Sequence, residues 1–291
     1  MKKNIAKLIR SQIKFFRLEK LASRFTRNSI HGEKAISRLL PDHYKYTQEK
    51  RSLVKRNNIN YEVCIGEHID WYIFYGFIDP SKSNLYSAIK SGDTVLDIGS
   101  NVGEVLMNIS KIVGNKGMVH GFEPDFENYK RLSKNLSLNE FENIKVNNIG
   151  LSYENGFGTS EINNIRNKGM NSISQVMEDD KNEHSFEILT LDNYINKTNI
   201  SSLDFIKIDV EGYEFNVLKG AESALKKYKP TLFIELDDNN LKKTNHTASE
   251  LVSLLEDYNY SIKNVNTNTV VSSENNFENC HFDIICIHSE S

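Results

Sequence analysis

From about residue 82 onward, short apolar runs alternate with segments striped at helical spacing. No other feature of the chain restricts its fold as strongly. Thr94-Val95-Leu96-Asp97-Ile98 has the length and branching of a buried strand and ends at Gly99, after which Val102, Val105, Leu106, Ile109, Ile112 and Val113 recur as one face of a helix. Met118–Glu123 predicts a second strand, followed by a helix striped with Phe126, Tyr129, Leu132 and Leu136. Further strands are expected at 144–149, 203–210 and 231–236, the last two separated by a helix carrying Phe215, Leu218, Ala221 and Leu225. Thr247 and Glu250 form a capping box ahead of Leu251, Leu254, Leu255 and Tyr258. Strands at 260–265 and 282–288 complete the set. Strands joined through helices demand right-handed crossovers, so the expected fold is α/β, a doubly wound, mostly parallel seven-stranded sheet. The last two strands have no helix between them and predict an antiparallel C-terminal edge. The Gly-, Ser- and Asn-rich stretch 151–190 breaks the alternation and reads as a hairpin with a mobile loop.

The first 80 residues follow a different pattern. Residues 1–56 carry 16 Lys+Arg against four Asp+Glu, although the 291-residue chain as a whole has a formal net charge of −3. Ile5, Leu8, Ile9, Ile13, Phe16, Leu21 and Phe25 recur at helical spacing among these cations. The expected organisation is a basic helical extension and cover segment over 1–80, then one domain over 81–291. The apolar stripe is expected to pack on the body; the competing reading is peripheral contact of residues 1–30 with an anionic membrane. Residues 61–78, with Trp71, suggest short strands or a hairpin. Lys7, Arg10 and Lys14 interrupt any signal-peptide core, and no apolar run approaches a membrane span, so a cytoplasmic location is expected. Three cysteines (Cys64, Cys280 and Cys286) cannot build a disulfide framework or a four-Cys zinc site.

The chemistry centres on Val95-Leu96-Asp97-Ile98-Gly99-Ser100-Asn101-Val102-Gly103, a strand, a glycine-bearing turn and a helix start. Glycines there let a ligand approach the backbone, and the helix N-terminus offers N–H donors. Asp97 sits where open α/β sheets bind ligands, and a carboxylate there suits an ammonium group better than a pyrophosphate. The spacing is G-x-x-x-G instead of G-x-G-x-x-G, which disfavours a nicotinamide dinucleotide. Glu123 ends the next strand, where an acid accepts from ribose hydroxyls. An acid for an amino-acid ammonium and another for a ribose together describe S-adenosylmethionine.

The segment 97–103 resembles the cofactor motif of the FkbM family of S-adenosylmethionine-dependent methyltransferases. So does Asp204-Phe205-Ile206-Lys207-Ile208-Asp209-Val210-Glu211-Gly212-Tyr213-Glu214, with Val217-Leu218-Lys219-Gly220-Ala221 after it and Leu189–Ile195 before it. The resemblance covers about residues 90–240. It implies a Rossmann-like class I methyltransferase fold, a cofactor held by Asp97, Gly99, Ser100, Asn101, Gly103 and Glu123, and methylation of hydroxyls on sugars or small-molecule intermediates.

A hydroxyl attacks poorly unless a base takes its proton. Asp209 is the first choice for that base and Glu211 the second, with His184 a distant third. An alternative has these acids bind a divalent cation with Glu235, although no metal is predicted. Glu214 is expected to serve the following helix. The resemblance implies a small-molecule or glycan acceptor; separately, an acidic body disfavours nucleic acid as the substrate. The rival to an enzyme is a non-catalytic nucleoside-binding scaffold recruited to a membrane or partner by its basic N-terminus.

Overall fold

The computed structural model describes residues 8–13, 18–46, 51–161, 172–176, 182 and 184–290. They form two compact units, the first ending at Ser83 and the second beginning at Asn84.

In the first unit, residues 8–13 are helical, followed by α1 (Glu19–Thr26), the hairpin of β1 (Arg51–Arg56) and β2 (Ile59–Cys64), and α2 (His68–Tyr75). Asn57 and Asn58, at φ 49° and 60°, supply the two left-handed positions that a tight hairpin turn requires. The strands expected across 61–78 therefore stop at Cys64, and a helix takes their place. Asp70, Trp71, Ile73, Phe74 and Tyr75 are all buried, so α2 is covered on most sides and has no stripe for a periodicity argument to find. Gly76 closes α2 at φ 67°, and the Arg56 guanidinium donates to the carbonyls of Ile73 (2.9 Å) and Phe74 at its end. The N-terminal stripe is divided: Ile13 is buried as expected, and Leu8 is exposed. Ala22 and Thr26 turn inward on α1, whereas Leu21 and Phe25 are 49% and 58% exposed. Ile5 and Phe16 lie outside the described residues.

The second unit is the expected α/β layer structure. Its main sheet has seven strands in the order β12-β13-β11-β10-β3-β4-β5: β3 (Thr94–Ile98), β4 (Met118–Phe122), β5 (Ile144–Asn147), β10 (Phe205–Ile208), β11 (Thr231–Asp237), β12 (Tyr260–Asn264) and β13 (His281–His288). The pairs β3–β4, β4–β5, β3–β10 and β10–β11 are parallel; β13 runs antiparallel to both β11 and β12, which forms the edge. The chain moves outward from β3 through β4 to β5, then returns to β3's other side as β10. The carboxyl ends of β3 and β10 therefore flank the crevice where such sheets bind ligands.

Helices α4 (Glu104–Val113), α5 (Phe126–Ser137) and α10 (Ala248–Asp257) match the predicted stripes. The capping box is present: Thr247 Oγ1 accepts from Glu250 N at 3.2 Å and Glu250 Oε2 accepts from Thr247 N at 2.7 Å. The single helix expected across Phe215 to Leu225 is two, α7 (Glu214–Lys219) and α8 (Glu222–Tyr228). They separate at Gly220, where a Cβ would stand 2.0 Å from the Ser152 carbonyl oxygen, so the chain bends around its neighbour.

The stretch expected to be a hairpin and loop builds a second sheet, ordered β6-β9-β7-β8 from β6 (Ile149–Leu151), β7 (Gly156–Glu161), β8 (Ser172–Val176) and β9 (Ser185–Leu189). Residues 162–171 of this stretch lie outside the described residues.

Candidate active site

The carboxyl ends of β3, β4 and β10 bring the two signature segments together. After Ile98 the chain turns through Gly99 (φ 84°), Asn101 (φ 48°) and Gly103 (φ 85°) before entering α4. Three left-handed residues in five form a tight loop, and its hydrogen bonds hold it against β4. The N–H groups of Gly99 and Ser100 both donate to the Phe122 carbonyl, at 3.0 and 2.9 Å. Ser100 Oγ donates to the Asp97 carbonyl at 2.8 Å and accepts from Phe122 N at 3.1 Å. Ser100 thereby laces the turn to the neighbouring strand.

The glycines answer to the protein's own packing. A Cβ on Gly99 would lie 1.9 Å from the Asp209 carbonyl oxygen, and one on Gly103 would meet Leu132 Cγ at 3.2 Å. The close approach expected of a ligand at Gly99 is made by the chain itself, at the start of the loop after β10. Asp209 N also donates to Ile98 O at 3.1 Å, continuing the β3–β10 ladder into the crevice.

Asp97 is fully buried. Its Oδ1 lies 3.3 Å from Lys207 Nζ, and Oδ2 has no hydrogen-bond partner among the described residues. Lys207 thus supplies an ammonium to one oxygen of Asp97 from within the protein, and the other oxygen is left open. Lys207, itself buried, also reaches Asp209 Oδ2 at 3.3 Å and donates to the Gly99 carbonyl at 3.0 Å. Those two carboxylates, Asp209 ahead of Asp97, hold its pKa above the ordinary lysine value against the opposing effect of burial. Lys207 belongs to the 204–214 signature, and the sequence assigns it no role of its own. The one signal available was that its side chain shares a face with Asp209, two residues on.

Glu123 stands just past β4, nearly buried. Its Oε2 accepts from Asn101 N at 2.8 Å and its Oε1 from Asp125 N at 3.0 Å. The Asn128 side chain also bonds to this carboxyl, whose two oxygens offer about four acceptor positions in all, so capacity remains for a ligand hydroxyl. Burial pushes the Glu123 pKa up to about 7, against the lowering effect of the Asn101 N–H. No side chain caps α4, whose N-cap is Gly103. The residues fit an S-adenosyl nucleoside: a nearly buried acid, an uncapped helix start and a glycine turn follow the carboxyl ends of β3 and β4.

Asp209 is exposed and ion-paired to Lys207. Glu211, at φ 53°, is half-buried and accepts from Asn240 Nδ2 at 2.8 Å. Burial, then the Asp209 charge, raise its pKa to about 7. A carboxylate that is part-protonated near neutrality and steered by an amide suits proton abstraction better than one tied to a buried cation. Both candidate bases, Asp209 and Glu211, stand on the loop after β10. Glu214 accepts from the N–H groups of Val210 (3.1 Å) and Gly212 (3.1 Å), so it holds the loop that presents Asp209 and Glu211. Glu235 ends the group: burial, then the Asp209 charge, push its pKa well above the usual carboxylate range. Among the described residues no group of three or more His, Cys, Asp or Glu side chains is placed to hold a metal ion. His184 is exposed, on the second sheet's approach to β9.

A family model described as the methyltransferase FkbM domain matches residues 97–262, more than half of the chain. The chain belongs to the FkbM methyltransferase family. The match begins at Asp97 and ends at Ile262 on the edge strand β12, so it takes in both signature segments of this FkbM domain. A hexuronic acid methyltransferase, AglP of Haloferax volcanii, is 29% identical over 143 residues, which are 48% of this chain and 55% of that protein. The chain thus spans about half the length of this relative. Among solved structures, an FkbM methyltransferase from Methylobacillus flagellatus aligns with TM-score 0.42 at 17% identity, covering 95% of this chain and 60% of that one. Aeropyrum pernix fibrillarin in complex with S-adenosyl-L-methionine aligns with TM-score 0.40 at 12% identity, covering 83% and 84%.

Proposed function

We propose that the protein is an S-adenosylmethionine-dependent methyltransferase that acts on a hydroxyl of a sugar, glycan or related small molecule. The observation that carries this reading is Glu123: a nearly buried carboxylate at a strand end, tied by the Asn101 N–H to the glycine turn of an FkbM domain. The hydroxyl acceptor is supported by the acids beyond β10 and by the name of the hexuronic acid methyltransferase relative. The cofactor supplies an electrophilic methyl on a sulfonium, which leaves as a neutral thioether.

The chain's own residues do the rest. Glu123 orients the ribose, and the Lys207-braced turn fixes the position of the adenosyl moiety. Glu211 would take the proton of the acceptor hydroxyl. Most of the acceleration comes from holding the two reactants in line.

Calorimetric titration with S-adenosylmethionine tests the binding half, and a turnover assay with uronic acid glycosides the chemical half. Glu123→Ala is expected to weaken cofactor binding about 30-fold or more, the loss of charge-assisted hydrogen bonds to the diol. Glu211→Gln should keep the affinity within a few-fold while turnover drops by roughly 100-fold or more. Wild-type protein that binds neither the cofactor nor its demethylated product would return the scaffold reading to first place.

A pH dependence follows from Glu123. A diol donates to the ionised carboxylate, while burial favours the protonated form up to about pH 7. Below that value binding must expel a proton, so affinity should fall about tenfold per pH unit under pH 7 and level off above it. Titrations at about pH 6 in buffers of different ionisation enthalpy should report release of close to one proton. Proton uptake instead of release would refute the assignment of Glu123.

A further inference from the structure

Apolar residues normally face the body of a protein from a surface helix, and α1 reverses this. The residues it buries are Glu19, Ala22 and Thr26. Its large apolar side chains lie outside: Leu21, Phe25 and, at the residue before the helix, Leu18 at 41% exposure. Spacings of three and four place these three on one face. Single exposed apolar residues are ordinary, but three aligned on two turns of helix form a ridge. Ile30, also exposed, lies shortly beyond the helix's end.

The flank of this ridge is basic. Lys20, Arg24 and Arg27 follow one another at the same spacings and are all exposed. The one acid of the helix, Glu19, is buried, so none of its exposed side chains is negative. Lys34, from the following segment, adds its charge at the end of α1, where its Nζ donates to the Phe25 carbonyl at 3.2 Å. Thr26 Oγ1 donates to the Tyr75 carbonyl at 2.8 Å, which fastens the inward face to α2 and leaves the ridge convex. A convex apolar ridge with long cations along its side matches a flat, negatively charged, deformable surface. The cationic stems can lie along the acyl region while their charges reach the headgroups.

We propose that α1 is a membrane-contact element, with Leu18, Leu21 and Phe25 entering the surface of a bilayer that contains anionic phospholipid and Lys20, Arg24 and Arg27 pairing with its headgroups. The contact is peripheral, since no helix among the described residues is long and apolar enough to cross a membrane. It is independent of the methyl-transfer reading, because every residue it uses belongs to the first unit.

Sedimentation of the full chain with vesicles of phosphatidylcholine alone, or mixed with phosphatidylglycerol, tests it. The protein should pellet with the mixed vesicles, not with the neutral ones, and high salt should weaken the binding. Leu21→Ser/Phe25→Ser and, separately, Lys20→Glu/Arg24→Glu should each reduce binding at least about tenfold. Both pairs are exposed, so thermal midpoints should stay within about 2 °C of the wild type and show that the fold is intact. Three results would overturn the proposal. The wild type could remain in the supernatant with mixed vesicles. The Leu21→Ser/Phe25→Ser variant could bind as the wild type does. Or the ridge could mediate self-association in velocity sedimentation without vesicles, abolished by the same variant, which would make a second copy its occupant.

Discussion

Gly99→Ala is expected to destabilise the protein by about 3 kcal/mol or more, lowering the thermal midpoint by roughly 10 °C. Two costs combine. A side chain at φ 84° is strained whatever surrounds it, at about 1 kcal/mol. The added Cβ would also lie 1.9 Å from the Asp209 carbonyl oxygen, a backbone atom that no rotamer change can move. Gly92 provides the control. It has φ 93° but nothing within 4 Å of its ideal Cβ, so Gly92→Ala bears the strain without the collision. Thermal melts of the two variants should differ by the clash, about 2 kcal/mol or more. Equal midpoints would mean that Gly99 is retained for its backbone angle and not for the approach of β10's loop.

Lys207→Met is expected to cost about 3–5 kcal/mol, because it leaves the Asp97 carboxylate buried without a counter-charge and removes a donor from the Gly99 carbonyl. The loss differs from that of ordinary packing in being reparable. Adding Asp97→Asn removes the stranded charge, so the double variant should regain about half of the loss in denaturant titrations. The wild-type ion pair gives no acid or alkaline signature near neutrality. Its lysine titrates higher in the folded chain than in the unfolded one, so its stabilisation persists below the ordinary lysine pKa and is lost only as pH rises above it. Strictly additive effects of Lys207→Met and Asp97→Asn would show that the two side chains do not act as a pair.

The alternation of strands and helices was legible because each element in the second unit either buries a continuous apolar run or shows one clear stripe. Glu123 was legible for the same reason: strand length fixed where β4 had to end. What stayed hidden depended on partners distant in sequence. The need for Gly99 lies in the Asp209 carbonyl, and the bend at Gly220 in the Ser152 carbonyl. The face that Lys207 shares with Asp209 follows from strand alternation, but its pairing with Asp97 across β3 and β10 needs the sheet. Helix α2 escaped notice because a segment buried on most sides has no periodicity to betray it. Helix α1 misled for the opposite reason. Its stripe is real, but periodicity identifies a face without saying whether that face meets protein or solvent.

The close meeting of Gly99 with Asp209 also bears on the order of events during synthesis. Thr94, at the start of β3, donates its N–H to an acid of Asp204, 110 residues later. A nascent chain that has emerged only through β5 holds Glu123 and the whole glycine turn but lacks the strand that wedges that turn into shape. Long-range pairings of this kind form slowly, and no local element can substitute for them. The crevice between β3 and β10 should therefore take shape only after the loop beyond β10 has left the ribosome.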